Sequence, residues 1–392
     1  MSRRAPSIEP LRVALVAGTL GDGGAEKQLV MMVDALKQAH VDVRVYCATQ
    51  GEHYESTLRE RGCDPVWFGK HQSPIHRVYK LSWLLRRFRP HLVQSAHFYT
   101  NLYVALASKM LRTVHFGAIR NDAIHEVEEN GRWGRPSIRM PSNLIANSYA
   151  AKENALQYGV LASRIHVLPN VIDVADFDQK SALTQPLEPK PTLSPPTAIV
   201  VGRLVHAKRI DRFLDALVIA NKTMRICGVI VGDGKLRSSL ESYAQKIGLC
   251  KDTVNFVGWK EDLPSRFRHA DMLVISSDHE GFPNVLLEAM AASLPAIATP
   301  AGEVPNVIQI GKTGYIVPFD DTEQMASRMV ELANDKERRT QMGSAARRLI
   351  ETTYSSEALA AHLFAIYHKA LGPPQRSASI EQFVGWESCP RN

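Results

Sequence analysis

The chain has 392 residues, of which 45% are hydrophobic and 22% are charged, so it has the composition of a globular protein and the length of two domains. No apolar run approaches the roughly 18 residues that a membrane-spanning helix needs. The five cysteines are scattered without a Cys-x-x-Cys pair, which argues for a reducing cytosol and against a structural zinc site. The formal net charge of +7 reflects either an anionic partner, such as nucleic acid, phosphorylated lipid or a membrane surface, or ordinary basic drift without a partner.

The first half of the chain alternates short apolar runs with segments of helical periodicity. The predicted strands are Val13–Ala17, Val41–Cys47, Leu92–Ser95, Thr113–Ile119 and Leu144–Ala146, and the predicted helices between them include Lys27–Ala39 and Tyr99–Met110. This βαβα pattern is typical of a parallel sheet with helices on both faces.

The densest basic run lies between His76 and Arg89, and it predicts an amphipathic helix. Its apolar residues recur at helical spacing, at Val78, Leu81, Leu84, Leu85 and Phe88. One interpretation is a plain surface helix that packs on the sheet. The other is a helix that also contacts anionic lipid head groups.

Residues 186–196 are rich in Pro, Thr, Lys and Ser, which cannot pack a core, and they predict an interdomain linker. Alternation then restarts, with predicted strands at Thr197–Val201, Ile226–Val231, Thr253–Val257, Met272–Ser277 and Ala296–Ala298, and with closing helices at Thr322–Asn334, Glu337–Thr353 and Ser356–Leu371. We expect α/β Rossmann-like domains over residues 1–188 and 189–355, a terminal helix over 356–372 and a tail over 373–392. Doubly wound sheets bind ligands outside the carboxyl ends of their strands, so the expected site is a cleft that the two domains face.

Two carboxylates stand eight positions apart in the segment Glu280-Gly-Phe-Pro-Asn-Val-Leu-Leu-Glu288, which follows a predicted buried strand. Gly281 permits an unusual backbone geometry, and Pro283 suits the first turn of a helix. A strand, a turn and a helix start place free backbone N–H groups where an anion can bind. Two acceptors around such a helix end suit a nucleotide-sugar, which has hydroxyls at both ends and phosphates between them. Two ordinary carboxylates on a solvated helix face are the alternative.

Arg203 and Lys208 lie in one loop after a predicted strand, and Gly202 provides the turn. Two cations beside a glycine turn suit a diphosphate. If the diphosphate leaves during a reaction, the cations stabilise the negative charge that develops on it. In the structural alternative, Arg203 pairs with Asp233 in the turn that ends the next strand.

The loop Gly21-Asp-Gly23-Gly24-Ala-Glu26 offers backbone N–H groups to an anion from the N-terminal domain. It is not Gly-x-Gly-x-x-Gly, and the second strand ends without an acidic residue for a ribose, so a dehydrogenase is a poor fit. No Gly-x-Ser-x-Gly elbow supports Ser/His/Asp hydrolysis. Asp176-Phe-Asp178 could hold a divalent metal, but it follows no core strand. Since Arg203 and Lys208 already offer positive charge, we expect no metal and no cofactor.

Together these motifs resemble a family 4 glycosyltransferase, a retaining enzyme of the GT-B fold. The matching pieces follow one another along nearly the whole chain: Gly23-Gly24-Ala25-Glu26, Ala146-Asn147-Ser148, Leu168-Pro-Asn170, Gly202-Arg203-Leu204 with Lys208, Gly232-Asp233-Gly234, Glu280 to Glu288, and Thr313-Gly314. The two-glutamate segment is moderately specific alone, whereas the ordered series is highly specific.

The resemblance implies a role for each matching residue. Glu288 would hold the ribose hydroxyls, Glu280 would face the donor sugar, and the pair Arg203 and Lys208 would bind the diphosphate. Further donor contacts would come from Gly23, Gly24, Gly202, Phe282, Asn284 and Val285, with Val257 and Trp259 where the base is usually held. The terminal helix would cross back onto the N-terminal domain, as in similar enzymes.

Three positions depart from the family pattern. Many relatives have a histidine after the strand that is followed here by Arg120 and Asn121; Arg120 either substitutes for it or binds an acidic acceptor. His97 lies earlier and is expected to line the cleft rather than to act as a base. The usual Gly-Gly-x-x-Glu turn reads Gly302-Glu-Val-Pro-Asn306 here, so the donor preference need not be that of common relatives.

The resemblance implies transfer of a sugar from a UDP- or GDP-linked donor to a lipid-linked or polysaccharide acceptor. Retention would need no protein nucleophile, because the departing diphosphate would accept the proton of the acceptor. A transferase with a soluble sugar-phosphate or metabolite acceptor and a non-catalytic scaffold are the alternatives. The expected location is the cytoplasm, at the inner face of the membrane if the basic helix contacts anionic lipid. No nucleic-acid partner is expected.

Overall fold

The computed structural model describes residues 10–69, 73–183, 194–260 and 262–371 of the chain. Two compact units are present: one comprises the chain up to Val171 together with the residues from Ser356 onward, and the other comprises Ile172–Ser355. Most of the predicted linker and all of the predicted tail lie outside the described residues.

The first unit is built on a seven-stranded sheet. Its strands are β1 (Arg12–Ala17), β2 (Asp42–Cys47), β3 (Val66–Trp67), β4 (Leu92–Ser95), β5 (Val114–Ile119), β6 (Asn143–Ala146) and β7 (Ile165–Val167). All pairings are parallel, in the order β3-β2-β1-β4-β5-β6-β7. The five strands expected from the sequence are present, and each end lies within one residue of its prediction. The edge strands β3 and β7 were not predicted, because two or three residues are too few to show a pattern.

Helices surround this sheet. They are α1 (Gly24–Gln38), α2 (His53–Glu60), α3 (Pro74–Phe88), α4 (Asn101–Leu111), α5 (Ala123–Glu129), α6 (Gly134–Arg139), α7 (Tyr149–Leu156) and, from the end of the described chain, α16 (Leu359–Leu371). Alternate residues of β1 enter different cores, which shows that both faces of the sheet are covered. Val13 and Leu15 pack with α1 and α16, whereas Ala14 and Val16 pack with α3 and α4.

The second unit repeats the design with six parallel strands. They are β8 (Thr197–Val201), β9 (Cys227–Val231), β10 (Val254–Gly258), β11 (Met272–Ile275), β12 (Ala296–Ala298) and β13 (Gly314–Ile316), in the order β10-β9-β8-β11-β12-β13. Its helices are α8 (Val174–Leu183), α9 (Ile210–Asn221), α10 (Arg237–Lys246), α11 (Leu263–His269), α12 (Asn284–Ala291), α13 (Val304–Val307), α14 (Thr322–Asn334) and α15 (Lys336–Thr353). In the ranges that the structure describes, no helix is both long and apolar enough to cross a bilayer.

Helix α8 belongs to the second unit, whereas the boundary expected at residue 188 assigned it to the first. Ile172 and Phe177 are buried in a core that also contains Leu286 of α12 and Ile350 of α15. The Ile172 N–H also donates to the carbonyl oxygen of Tyr354 at 2.9 Å. The sequence composition changes at the linker, but the packing changes one helix earlier.

Candidate functional site

The strand order of the second unit reverses direction between β8 and β11. Strands β9 and β10 lie on one side of β8, and β12 and β13 lie on the far side of β11. The loops after β8 and β11 therefore turn away from each other. Doubly wound sheets bind ligands at such a reversal of strand order. Gly202, Arg203 and Lys208 follow β8, and Glu280 follows β11.

Lys208 and Glu280 are in direct contact at this reversal. The distance from Lys208 Nζ to Glu280 Oε1 is 2.5 Å, and Ser277 Oγ donates to the same oxygen at 2.6 Å. Only 22% of the Lys208 side chain and 10% of the Glu280 side chain are exposed. An ammonium group has three donors, so this ion pair leaves two of them for another acceptor, such as a phosphate oxygen.

Hydroxyl groups hold the backbone around this pair. Ser276 Oγ donates to the carbonyl oxygen of Lys208 at 2.9 Å, and Thr299 Oγ1 donates to the carbonyl oxygen of Ser277 at 2.5 Å. These bonds tie together the loops after β8, β11 and β12, which restricts movement of Lys208 relative to Glu280. The sequence did not predict these two hydroxyls or that of Ser277, since serine and threonine have no distinctive spacing there.

A buried guanidinium crosses the same region. Arg212 is 2% exposed and donates to the carbonyl oxygen of Ser276 at 2.5 Å, to Asp278 Oδ1 at 2.8 Å and to Asp320 Oδ1 at 3.0 Å. A single side chain of α9 thereby holds the loop after β11 and the loop before α14. No local pattern predicts this contact, because Arg212 and Asp320 lie far apart in the chain.

Arg209 joins Arg212 on Asp278, with Arg209 Nη1 at 3.2 Å from Asp278 Oδ2. Burial acts to raise the pKa of Asp278, but hydrogen bonds and charge interactions with Arg212 and Arg209 outweigh it, and the pKa lies below its ordinary value. Arg209 directly follows Lys208, and Asp278 stands two residues before Glu280. The charged cluster therefore anchors both residues of the central ion pair.

Two glycines allow the backbone to approach this point closely. Gly232 has a φ of +135°, and a Cβ there would lie 2.0 Å from the carbonyl oxygen of Gly202. Gly302 has a φ of +57°, and a Cβ there would lie 2.2 Å from the carbonyl oxygen of Glu280. Only glycine fits these positions. The turn that departs from the family pattern thus packs directly on the Glu280 backbone.

Arg203 is exposed in the same loop as Lys208. Asp233, its partner in the structural alternative, instead accepts from Arg237 Nη1 at 2.9 Å and from the Gly234 N–H at 2.7 Å. Among the residues of known placement, no ion pair forms to the Arg203 side chain. Arg203 therefore remains available for an anion, and the structural alternative is wrong.

Helix α12 begins at Asn284, so its N-terminus, the end of a helix that favours an anion, lies close to Glu280 in the chain. Glu288 lies inside this helix and is 9% exposed. Phe282 is buried, with its ring centroid 5.8 Å from that of Tyr354, and Val285 packs against the same core. The side chains of Phe282 and Val285 thus contribute to packing, whichever ligand their backbone contacts.

The predicted base-binding segment lies at the edge strand β10. Val257 is half-buried against the core, and Trp259, just beyond the strand, has 54% of its surface exposed. Gly258 between them has a φ of +73°, at an irregularity in the pairing with β9. An exposed indole at the carboxyl end of a strand can stack on a nucleobase.

The first unit has its own reversal of strand order, between β1 and β4. Gly23 is the N-cap of α1, and Gly24 is its first residue. The Gly18 N–H donates to His97 Nδ1 at 3.1 Å. In the neutral form of His97 the ring proton is therefore on Nε2. His97 Nε2 lies 3.1 Å from Glu26 Oε1, but off the ideal hydrogen-bond direction. Both ring nitrogens thus face protein groups, an arrangement that suits a structural role better than that of a base.

Glu26 is nearly buried beside His97. Burial acts to raise the pKa of Glu26, but the contact with His97 and a hydrogen bond from Thr19 outweigh it, and the pKa lies below its ordinary value. The carboxylate therefore stays charged at neutral pH and holds the glycine loop after β1.

Arg120 and Asn121 begin the loop after β5. Asn147 Nδ2 donates to the carbonyl oxygen of Arg120 at 2.7 Å, and the Arg120 N–H donates to Glu126 Oε1 at 3.2 Å. Burial lowers the pKa of Arg120 to about 10 and raises the pKa of Glu126 to about 8. Within the described part of the chain, Arg120 Nε, Glu126 Oε2 and Asn147 Oδ1 are buried without a hydrogen-bond partner. The structure thus adds Glu126 and Asn147 to the polar cluster around Arg120.

The Asp-x-Asp sequence forms ion pairs. Asp178 Oδ2 lies 2.7 Å from Arg347 Nη2, and Asp176 Oδ2 lies 2.7 Å from Lys180 Nζ. Where placement is described, no group of three or more His, Cys, Asp or Glu side chains is arranged to hold a metal ion.

Two family models match the chain in succession. The model "Glycosyltransferase Family 4" matches residues 22–176, and the model "Glycosyl transferases group 1" matches residues 186–349. The chain belongs to the family 4, group 1 glycosyltransferases. The resemblance inferred from the motifs is thereby confirmed.

Curated relatives of this family 4 protein match parts of it. A GDP-mannose-dependent phosphatidylinositol monomannoside mannosyltransferase of Mycobacterium tuberculosis is 31% identical over 230 residues, which is 55% of this chain and 59% of the relative. A D-inositol 3-phosphate glycosyltransferase of Corynebacterium kroppenstedtii is 29% identical over 328 residues, which is 78% of this chain and 70% of the relative. An N-acetyl-alpha-D-glucosaminyl L-malate synthase of Bacillus anthracis is matched over 37% of its length.

Solved structures show the same fold. Anabaena HepE in complex with UDP and glucose has a TM-score of 0.80 at 19% identity, covering 91% of this chain and 99% of that one. The lipopolysaccharide outer core galactosyltransferase WaaB has a TM-score of 0.73 at 19% identity, with the same coverage. The predicted GT-B fold is confirmed.

Proposed function

We propose that this family 4 protein transfers a sugar from a UDP- or GDP-linked donor to a lipid-linked or polysaccharide acceptor, with retention of the anomeric configuration. The observation that supports this most is the Lys208–Glu280 pair at the strand reversal of the second unit, with exposed Arg203 in the same loop. The donor classes are those of similar proteins, since HepE was solved with UDP-glucose and the Mycobacterium relative is named for GDP-mannose.

Two positively charged side chains would bind the diphosphate of the donor. Arg203 offers a planar guanidinium, and Lys208 keeps two N–H donors after it pairs with Glu280. When the bond from the anomeric carbon to the phosphate oxygen breaks, negative charge develops on the diphosphate, and these cations stabilise it. We propose that they make a metal or other cofactor unnecessary.

Glu280 would contact the sugar rather than act as a nucleophile. Among the residues that the structure describes, the two donors to its carboxylate, Lys208 and Ser277, both bind Oε1, so Oε2 can accept a sugar hydroxyl. The acceptor hydroxyl would attack on the leaving-group face, its oxygen bonding to the anomeric carbon while its proton passes to the departing diphosphate. Catalysis would then consist of positioning and charge stabilisation.

A soluble acceptor is the second candidate. The Corynebacterium relative, which matches 78% of this chain, is named for D-inositol 3-phosphate. Assays with a sugar phosphate and with a lipid-linked glycan distinguish the two acceptor classes.

Replacement of Glu288 by alanine should raise the donor KM by about ten- to a hundredfold, because a carboxylate bound to ribose hydroxyls contributes about 1.5–3 kcal/mol. The measurement is release of UDP or GDP from a panel of nucleotide-sugars, followed with wild type and variant. Glu288→Gln keeps one acceptor oxygen and should lie between them. An unchanged KM would remove Glu288 from ribose binding, and no turnover of any nucleotide-sugar by wild type would overturn the proposed function.

A further inference from the structure

The outward face of α3 has an apolar stripe that the sequence pattern did not reveal. The expected apolar residues of this helix do face inward, and Leu81, Leu85 and Phe88 are buried. On the other side, Ile75, Tyr79 and Trp83 are exposed by 83%, 67% and 47%. We call these three residues the α3 stripe.

The α3 stripe is continuous along the helix. Its members are four residues apart, and residues at this spacing lie on one helix face over successive turns. Met110 of α4 extends the surface sideways: it is 58% exposed, and its Sδ lies 3.5 Å from Ser82 Oγ. Tyrosine and tryptophan combine an apolar body with a polar tip, the character of side chains that lie at a membrane interface.

Basic groups flank the α3 stripe. Arg86 follows Trp83 by one turn on the same side of the helix, and the Arg87 guanidinium lies 4.5 Å from the centroid of the Trp83 ring. Lys80 lies over the ring of Trp67 at 4.3 Å. A surface that pairs exposed aromatic side chains with cations is complementary to a bilayer with anionic head groups.

The basic charge of the chain is concentrated in the segment that contains α3. The 57 residues from Pro65 to Asn121, which include α3 and α4, contain nine Lys and Arg and no Asp or Glu. Because the whole chain has a formal net charge of +7, all its other residues together have a net charge of −2. The basic excess therefore belongs to one segment of the chain rather than to general drift. Its exposed members on α3, which include Arg86 and Arg87, repel a second copy of the same surface.

We propose that the α3 stripe docks the first unit on an anionic membrane surface, with Ile75, Tyr79 and Trp83 inserted at the head-group level and Arg86 and Arg87 paired with lipid phosphates. Docking would place the protein where a lipid-linked acceptor resides. That consequence depends on the proposed function, whereas binding to the membrane itself does not.

Flotation of the full chain with vesicles tests the docking. We expect binding to phosphatidylcholine vesicles that contain phosphatidylglycerol, and little to phosphatidylcholine alone. Tyr79→Ala/Trp83→Ala should lower the partition coefficient by about tenfold or more, since two interfacial aromatic side chains are lost. Arg86→Ala/Arg87→Ala should lower it similarly, and salt should weaken wild-type binding.

Leu161→Ala is the matched control, since Leu161 is 65% exposed in the same unit but lies outside the α3 stripe. It should bind vesicles as wild type does, and every variant should keep the melting temperature and the thermal shift by UDP or GDP. Equal partitioning of wild type and Tyr79→Ala/Trp83→Ala, or no anionic-vesicle binding by wild type, would overturn the docking surface. Self-association of wild type that this double variant abolishes, without vesicle binding, would instead assign the stripe to a second copy. Because nucleotide binding is measured separately, these results leave the proposed function untouched.

Discussion

Replacement of Lys208 by methionine should lower kcat for sugar transfer by about 10²–10³-fold, the usual cost of removing one group that stabilises developing charge. Methionine keeps most of the length of the side chain and removes its charge. The variant therefore loses the electrostatic stabilisation of the departing diphosphate. The donor KM should change less, because Arg203 and the backbone groups at the start of α12 still hold the ground-state phosphates. Initial rates over a range of donor concentrations separate the two effects.

The contact with Glu280 makes the Lys208 variant informative in a second way. Lys208→Met also removes the ammonium group from the Glu280 carboxylate, to which the Ser277 hydroxyl still donates. The double variant Lys208→Met/Glu280→Gln therefore shows whether the loss comes from the diphosphate or from a displaced Glu280. Lys246→Met, an exposed position of α10 in the same unit, is the control and should transfer at the wild-type rate. A Lys208→Met enzyme with unchanged kcat would contradict the leaving-group role.

Replacement of Arg212 by methionine should destabilise the second unit by about 2–4 kcal/mol, since a buried guanidinium with three acceptors is lost and Asp278 stays behind with fewer partners. For a unit of this size, that free energy corresponds to a fall in Tm of roughly 5–15 °C. Calorimetry or circular dichroism measures it, with the unfolding of the second unit followed as a transition of its own.

Arg328→Met is the matched control for Arg212→Met. Arg328 Nη1 lies 2.6 Å from Glu331 Oε2, a distance close to those around Arg212, but 39% of its side chain is exposed. Exposed ion pairs contribute about 0–1 kcal/mol, so its Tm should fall much less. Arg212→Met/Asp278→Asn should recover part of the stability, because the partly buried Asp278 then carries no charge, whereas the Asp320 side chain is 89% exposed and stays solvated. Equal Tm values for Arg212→Met and Arg328→Met would contradict the anchoring role.

Most of the fold could be predicted because buried parallel strands are continuous apolar runs. β1, β4 and β5 lie between helices on both faces, so nearly every residue in them is apolar or buried. The same argument fails for the edge strands β3 and β7, which are too short to produce a run. It also fails for the domain boundary, since Ile172 and Phe177 join the second core through packing that no local pattern records.

The residues of the central pair could be predicted, but not what holds them. Lys208 and Glu280 stand in glycine-containing loops at strand ends, a local signature. Arg212 and Asp320 are brought together only by the sheet order, and the exposure of Tyr79 and Trp83 depends on which face of α3 packs inward. The spacing of Val78, Leu81 and Leu85 predicted the buried face correctly. It does not predict which residues lie on the opposite face of α3.

Isothermal titration with UDP, GDP, UMP and GMP tests the central claim most directly, because it isolates the outer phosphate that Arg203 and Lys208 are proposed to bind. We predict that one nucleoside diphosphate binds wild type at least about tenfold more tightly than its monophosphate, as expected for one added charge-assisted contact. In Arg203→Met/Lys208→Met, that preference should disappear while the monophosphate affinity stays within severalfold. Equal affinity of wild type for diphosphate and monophosphate, or a preference that survives the double substitution, would contradict a diphosphate site at the Lys208–Glu280 pair.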